Sequence, residues 1–152
     1  MADFSLSRST RIQASPDRIH ALLDDFREWQ KWSPWEGLDP GLDRQYSGPD
    51  HGVGSTYRWA GNRKAGEGEM TMTGSTATSV VVDLVFLKPF KATNVTRFDL
   101  APVGEATDVT WTMTGTRSAI MSVGGKLFFD KAIAKDFDRG LADLKAQAER
   151  GA

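Results

Sequence analysis

Between Lys126 and Arg150 apolar residues recur at steps of three and four: Leu127, Ile133, Phe137, Leu141, Leu144 and Ala148, with Ala134 beside them. That spacing predicts one long helix with a single apolar stripe. Lys131, Lys135, Asp138, Asp143, Lys145 and Glu149 fall on its other side. A stripe this long needs a broad apolar surface to lie on.

The rest of the chain supplies one, because it alternates mainly at a period of two. Phe4 to Ala14 reads as a first strand, with Phe4, Leu6, Arg8, Thr10 and Ile12 on one face. Arg8 stands in that mostly apolar row, either as a solvated edge position or as a charge pointing into a pocket. A short strand is expected around Asp43 to Ser47. Five more follow: Ser55–Ala60 with Tyr57 and Trp59 on one face, Glu67–Thr76 with Met70 and Met72, and Val80–Leu87 with Val80, Val82, Leu84 and Phe86. Thr93–Leu100 carries Phe98 and Leu100, and Asp108–Thr116 carries Val109, Trp111 and Met113. Such alternation marks an antiparallel sheet that is wet on one side. Gly61-Asn62, Thr78-Ser79, Lys88-Pro89 and Val103-Gly104 suit the turns between strands. Gly74 and Gly115 interrupt the pattern, as bulges or bends do.

Ser15-Pro16 opens a helix, with serine as N-cap and proline at the first helical position. Its apolar side is Ile19, Leu22, Leu23 and Phe26, and His20 lies one step off it. A second short helix, Arg27 to Trp32, must stop at Ser33 because Pro34 follows. Trp29, Trp32 and Trp35, three apart, are read as a plug at one end of the sheet. The expected architecture is therefore α+β. A curved antiparallel sheet of about seven strands grips a long C-terminal helix, with two short helices after the first strand. Residues 1–152 form a single domain.

Composition narrows the chemistry. A chain of 152 residues buries roughly 68–70% of the surface it exposes when unfolded, enough for a real core. A formal net charge of −1 gives no electrostatic ground for nucleic acid or an anionic membrane as partner. The absence of cysteine excludes disulfides, thiol nucleophiles and thiolate metal sites. With two histidines, a zinc site is not expected, and no cofactor is implied. No basic-then-apolar run opens the chain, and no apolar segment approaches ~18 residues. Cytoplasmic location without membrane insertion is the expectation.

No H-E-x-x-H, Walker loop or G-x-G-x-x-G occurs. The glycine-rich run Gly61 to Gly68 joins two strands without a following helix N-terminus, so it reads as a hairpin loop rather than a phosphate cradle. Glu67, Glu69 and Asp83 fall on the outer face, where they solvate the sheet. No catalytic constellation is recognisable.

Several stretches resemble the SRPBCC superfamily, with its START-like, birch-pollen-allergen-like helix-grip fold, and within it the polyketide cyclase/dehydrase branch. They are RSTRIQASPDRIHALLDDFREWQKWSPWE at Arg8 to Glu36, YSGPDHGVGSTYRW at Tyr46 to Trp59, LVFLKPFKATN at Leu84 to Asn94, VTWTMTG at Val109 to Gly115 and FDRGLADLK at Phe137 to Lys145. The resemblance implies a cavity between sheet and C-terminal helix that takes a lipid, polyketide or aromatic molecule. Carried onto this chain, its lining is Tyr57, Trp59, Met72, Leu84, Phe86, Phe98, Trp111, Met113, Phe128, Ile133 and Phe137. Arg8 and Tyr57 are the candidates for polar orienting groups. The leading expectation is binding or carriage of a hydrophobic small molecule. One alternative is a cyclase/dehydrase-like enzyme, with Arg8, Tyr57 or His20 as acid–base carrier. Another is a protein-interaction module of the heat-shock-ATPase-activator type, which would need Trp29, Trp32 and Trp35 exposed.

Overall fold

The computed structural model describes residues 3–33, 41–62, 66–88, 92–116 and 125–150. Seven strands form one antiparallel sheet: β1 (Asp3–Ile12), β2 (Asp43–Ser47), β3 (Thr56–Ala60), β4 (Glu67–Thr76), β5 (Ser79–Lys88), β6 (Ala92–Val103) and β7 (Ala106–Thr116). Their order across the sheet is β1-β7-β6-β5-β4-β3-β2. Each neighbouring pair follows directly in sequence except one: β1 lies against β7, from Asp3↔Thr116 to Ile12↔Thr107. Helix α1 (Pro16–Leu23) follows β1, and helix α2 (Gly125–Arg150) closes the chain. This is the helix-grip fold, and the strand and helix pattern predicts it in outline. None of the described helices is long and apolar enough to cross a membrane.

One element differs in kind. The second short helix is a single 3-10 turn, Glu28–Lys31, closed by Trp32 N–H to the Trp29 carbonyl at 3.1 Å. Short segments favour this tighter winding.

The sheet carries its apolar residues on the face that meets α2. In β6, Asn94, Thr96, Phe98 and Leu100 are buried, while Thr93, Val95 and Arg97 between them are exposed. The two glycines read as breaks in the pattern do different things. At Gly74 the β4–β5 register shifts, as a bulge requires. At Gly115 the pairing with Asn94 runs on unbroken. There a Cβ would overlap the Asn94 side chain, so glycine serves close approach instead.

The end of the sheet beside α1 is sealed. Ser15 caps α1 by accepting from the Arg18 N–H at 3.3 Å. The Arg18 guanidinium then donates to the Ala148 and Gln147 carbonyls, each at 3.2 Å. Those carbonyls belong to the last turn of α2, which has no helical partner for them. Glu149 accepts from the Gln13 N–H at 2.8 Å and pairs with Lys145, whose ammonium also donates to the Arg11 carbonyl at 2.9 Å. Lys145, and after it the Gln13 N–H, hold the Glu149 carboxyl below its ordinary pKa.

Trp29 and Trp32 fill the same end, each 1% exposed. Their indole N–H groups donate to the Leu23 and Leu22 carbonyls, both at 2.8 Å. These bonds satisfy both the buried indoles and the C-terminal turn of α1. The plug inferred from the tryptophan spacing is thus in place for two rings, and Trp35 lies outside the described residues.

Candidate ligand-binding site

Aromatic side chains touch in one unbroken row that starts on α2 and ends at Phe86 of β5. Phe137 stacks on Trp111 at 3.9 Å between centroids, and Trp111 stacks on Phe98 at 5.0 Å. Phe98 meets Trp29 edge-on at 5.7 Å, and Trp29 meets Phe26 at 5.5 Å. Phe26 passes the row to Tyr57 at 6.1 Å, Tyr57 to Trp59 at 6.0 Å, and Trp59 to Phe86 at 5.8 Å. The edge-to-face contacts among these each add stabilisation beyond the area they bury.

The residues expected to line a cavity divide along this row. Tyr57, Met72, Leu84, Phe98, Trp111, Met113 and Phe137 are all buried in one cluster. Trp59 and Phe86 are only partly buried and lean against it. The Phe128 and Ile133 side chains lie outside the described residues. Near α1, space is taken up by Trp29, Trp32, Phe98, Trp111 and Phe137 against one another. Trp59 and Phe86 sit at the opposite end of the sheet, where β3 and β5 finish and β4 and β6 begin. Gly68 makes room there: a Cβ on it would run into the Trp59 ring and the Val85 carbonyl.

Arg8 stands on the concave face in register with Trp111. Its side chain is 45% exposed, and its Nε lies 3.5 Å from Asp138 of α2. It therefore joins the edge strand to the helix at the rim, outside the apolar cluster. Tyr57 is 4% exposed and inside it.

His20 belongs to a different place. It lines a cleft of about 430 Å³ with Asp17, Asp24, Asp25, Glu28 and His51. Its Nε2 shares a hydrogen bond with Ser75 Oγ at 3.1 Å. Its Nδ1 is 3.6 Å from Asp24 Oδ2, as is the Nδ1 of His51. That distance is too long for a hydrogen bond, so no Ser-His-Asp relay is formed. Among the described residues no cluster could hold a metal ion.

The sequence reading passed over two inward polar residues. Thr96 is 2% exposed and accepts from Trp111 Nε1–H at 3.0 Å. Asn94 is 3% exposed, and its Oδ1 has no hydrogen-bond partner among the described residues. Extending the period of two back from Phe98 reaches both, but their polar character hid them.

Comparison with known proteins agrees with this geometry. The family model described as polyketide cyclase/dehydrase and lipid transport matches residues 3–149. No curated protein sequence matches the chain. A crystal structure of a Mesorhizobium loti protein superposes with TM-score 0.71 at 12% identity, covering 98% of this chain and 99% of that one. The Aha1 dimer from Colwellia psychrerythraea gives 0.68 at 21%, covering 96% of each chain. Ara h 8.0201 gives 0.69 at 7%, covering 97% of this chain and 98% of that one. At such identities the likeness is one of fold.

Proposed function

The chain belongs to the polyketide cyclase/dehydrase and lipid transport family of the SRPBCC superfamily, and from that premise we propose that it binds and carries a hydrophobic small molecule between sheet and α2. The observation that carries the reading is the asymmetry of the apolar face. One end is filled by its own aromatic side chains. The other presents Trp59 and Phe86, partly buried and packed on the core. An apolar guest there would gain about 25 cal/mol for each Å² removed from water. Concave apolar surface with few polar groups is the usual form of such sites.

The test is thermal shift and native mass spectrometry against lipids, fatty alcohols and fused aromatic compounds. Saturable stabilisation, or a co-purifying apolar mass, is the expected result. A broad panel without either would overturn the reading.

A cyclase/dehydrase-like reaction is the second reading. Of its three named carriers, only Tyr57 lies within the apolar cluster. Arg8 stands at the rim and His20 in the acidic cleft, so neither can serve a substrate held against Trp59 and Phe86. The protein-docking alternative needed an exposed tryptophan patch, and the burial of Trp29 and Trp32 speaks against it.

A further inference from the structure

We propose that Asn94 is the polar anchor of this site, and that the ligand it selects carries an O–H or N–H donor on an otherwise apolar body. The assignment rests on the carriage reading above and specifies the ligand's chemistry. Asn94 lies on the concave face, in register with Leu84 of β5 and Gly115 of β7. It is 3% exposed, yet among the described residues its Oδ1 accepts no hydrogen bond. Buried acceptors are nearly always satisfied, so one left open in an apolar wall needs an explanation. Two residues along the same strand face, Thr96 takes the Trp111 indole N–H at 3.0 Å. Among the described residues the fold thus supplies a donor to one inward polar group and none to the next.

Gly115 bears on the same point. Any side chain there would overlap Asn94 Oδ1 and crowd the Thr93 carbonyl. The backbone therefore makes room for an amide that nothing in the described fold uses. Asn94 also lies at the same end of the sheet as Phe86, two pairs along β5 from its partner Leu84. The amide oxygen can accept from a hydroxyl or an amine, which a hydrocarbon or an ether does not offer.

The experiment compares 2-naphthol, 2-methylnaphthalene and 2-methoxynaphthalene as probes of the full chain, by fluorescence titration. They share one apolar body and differ in offering a donor, neither group, or an acceptor. The parent protein is expected to bind naphthol about tenfold more tightly than the other two. Asn94→Leu is expected to lose that preference while still binding 2-methylnaphthalene. It should also melt no lower than the parent, because it removes an unsatisfied group. Asn94→Val, suited to a strand, replaces it if the leucine variant fails to fold. Equal binding of all three probes, a preference for the methoxy compound, or a naphthol preference that survives the substitution would overturn the assignment and leave carriage standing. Failure of the parent protein to bind any of the three would overturn the assignment, while carriage itself stands or falls on the broader panel above.

Discussion

Trp111 of β7 and Phe137 of α2 lie face to face, their ring centroids 3.9 Å apart and their planes within 6° of parallel. Neither ring is exposed to solvent. Aromatic pairs left to themselves favour offset or edge-on contact. Here the helix lies over the β1 side of the sheet, and the two rings form the seam between it and β7. The indole is held from its other side by the Thr96 hydroxyl, so the seam is fixed in direction as well as distance.

Phe137→Ala is therefore expected to destabilise the protein by about 3–5 kcal/mol, the usual range for emptying a packed phenylalanine site. Urea unfolding followed by tryptophan fluorescence measures it. A loss below about 1 kcal/mol would mean that the seam does not hold the helix.

Gly115→Ala places a methyl group where the Asn94 side chain lies. Overpacking of this kind costs about 1–3 kcal/mol. Adding Asn94→Ala should recover most of that loss, because the obstructing amide is gone. Calorimetric melting of the two single variants and the double variant gives the coupling. Simple additivity would show that the two residues do not share the space.

Trp32→Phe keeps an aromatic ring but removes the donor to the Leu22 carbonyl. The expected loss is about 1–3 kcal/mol, the cost of leaving a buried acceptor unpaired. The same logic applies to Trp29 and the Leu23 carbonyl. A Trp32→Phe melting curve that matches the parent would place that carbonyl in contact with water.

Acid should loosen the clasp between α2 and the end of β1. Glu149 has its pKa lowered in the folded chain by Lys145 and the Gln13 N–H. A depressed carboxylate contributes stability above its unfolded pKa and loses it as pH falls through the folded value. Asp108, lowered chiefly by its hydrogen bond from Arg11, follows the same sign. Melting temperature should thus fall as pH drops below the ordinary carboxylate range, and Glu149→Gln should flatten that fall in part. Both groups face solvent, so added salt should weaken the effect. A Glu149→Gln profile parallel to the parent's would remove Glu149 from the account.

The fold was legible because its elements obey strong local rules. The stripe through Phe137, Leu141 and Leu144 admits only a helix, and the alternation around Trp111 admits only a half-buried strand. The Ser15-Pro16 start followed from capping chemistry alone. The 3-10 turn at Glu28–Lys31 was not legible, since apolar spacing does not separate one tight turn from a short helix. The candidate site was harder to read because hydropathy ranks residues by type and not by surroundings. It marked Trp59 and Phe86 as inward but passed over Asn94, whose interest lies in a missing partner. It left Arg8 open between a solvated edge position and a charge pointing into a pocket. Only the reach to Asp138 revealed that its charge stays at the rim.

The pairing of β1 with β7 has a consequence for synthesis. Arg11 meets its partner Asp108 across 97 residues of chain. At about 5–20 residues per second, the first strand leaves the ribosome roughly 5–20 s before the strand that will cover it exists. Throughout that interval it presents unpaired backbone groups to other nascent chains. Closure of the sheet is therefore a late event in the making of each molecule.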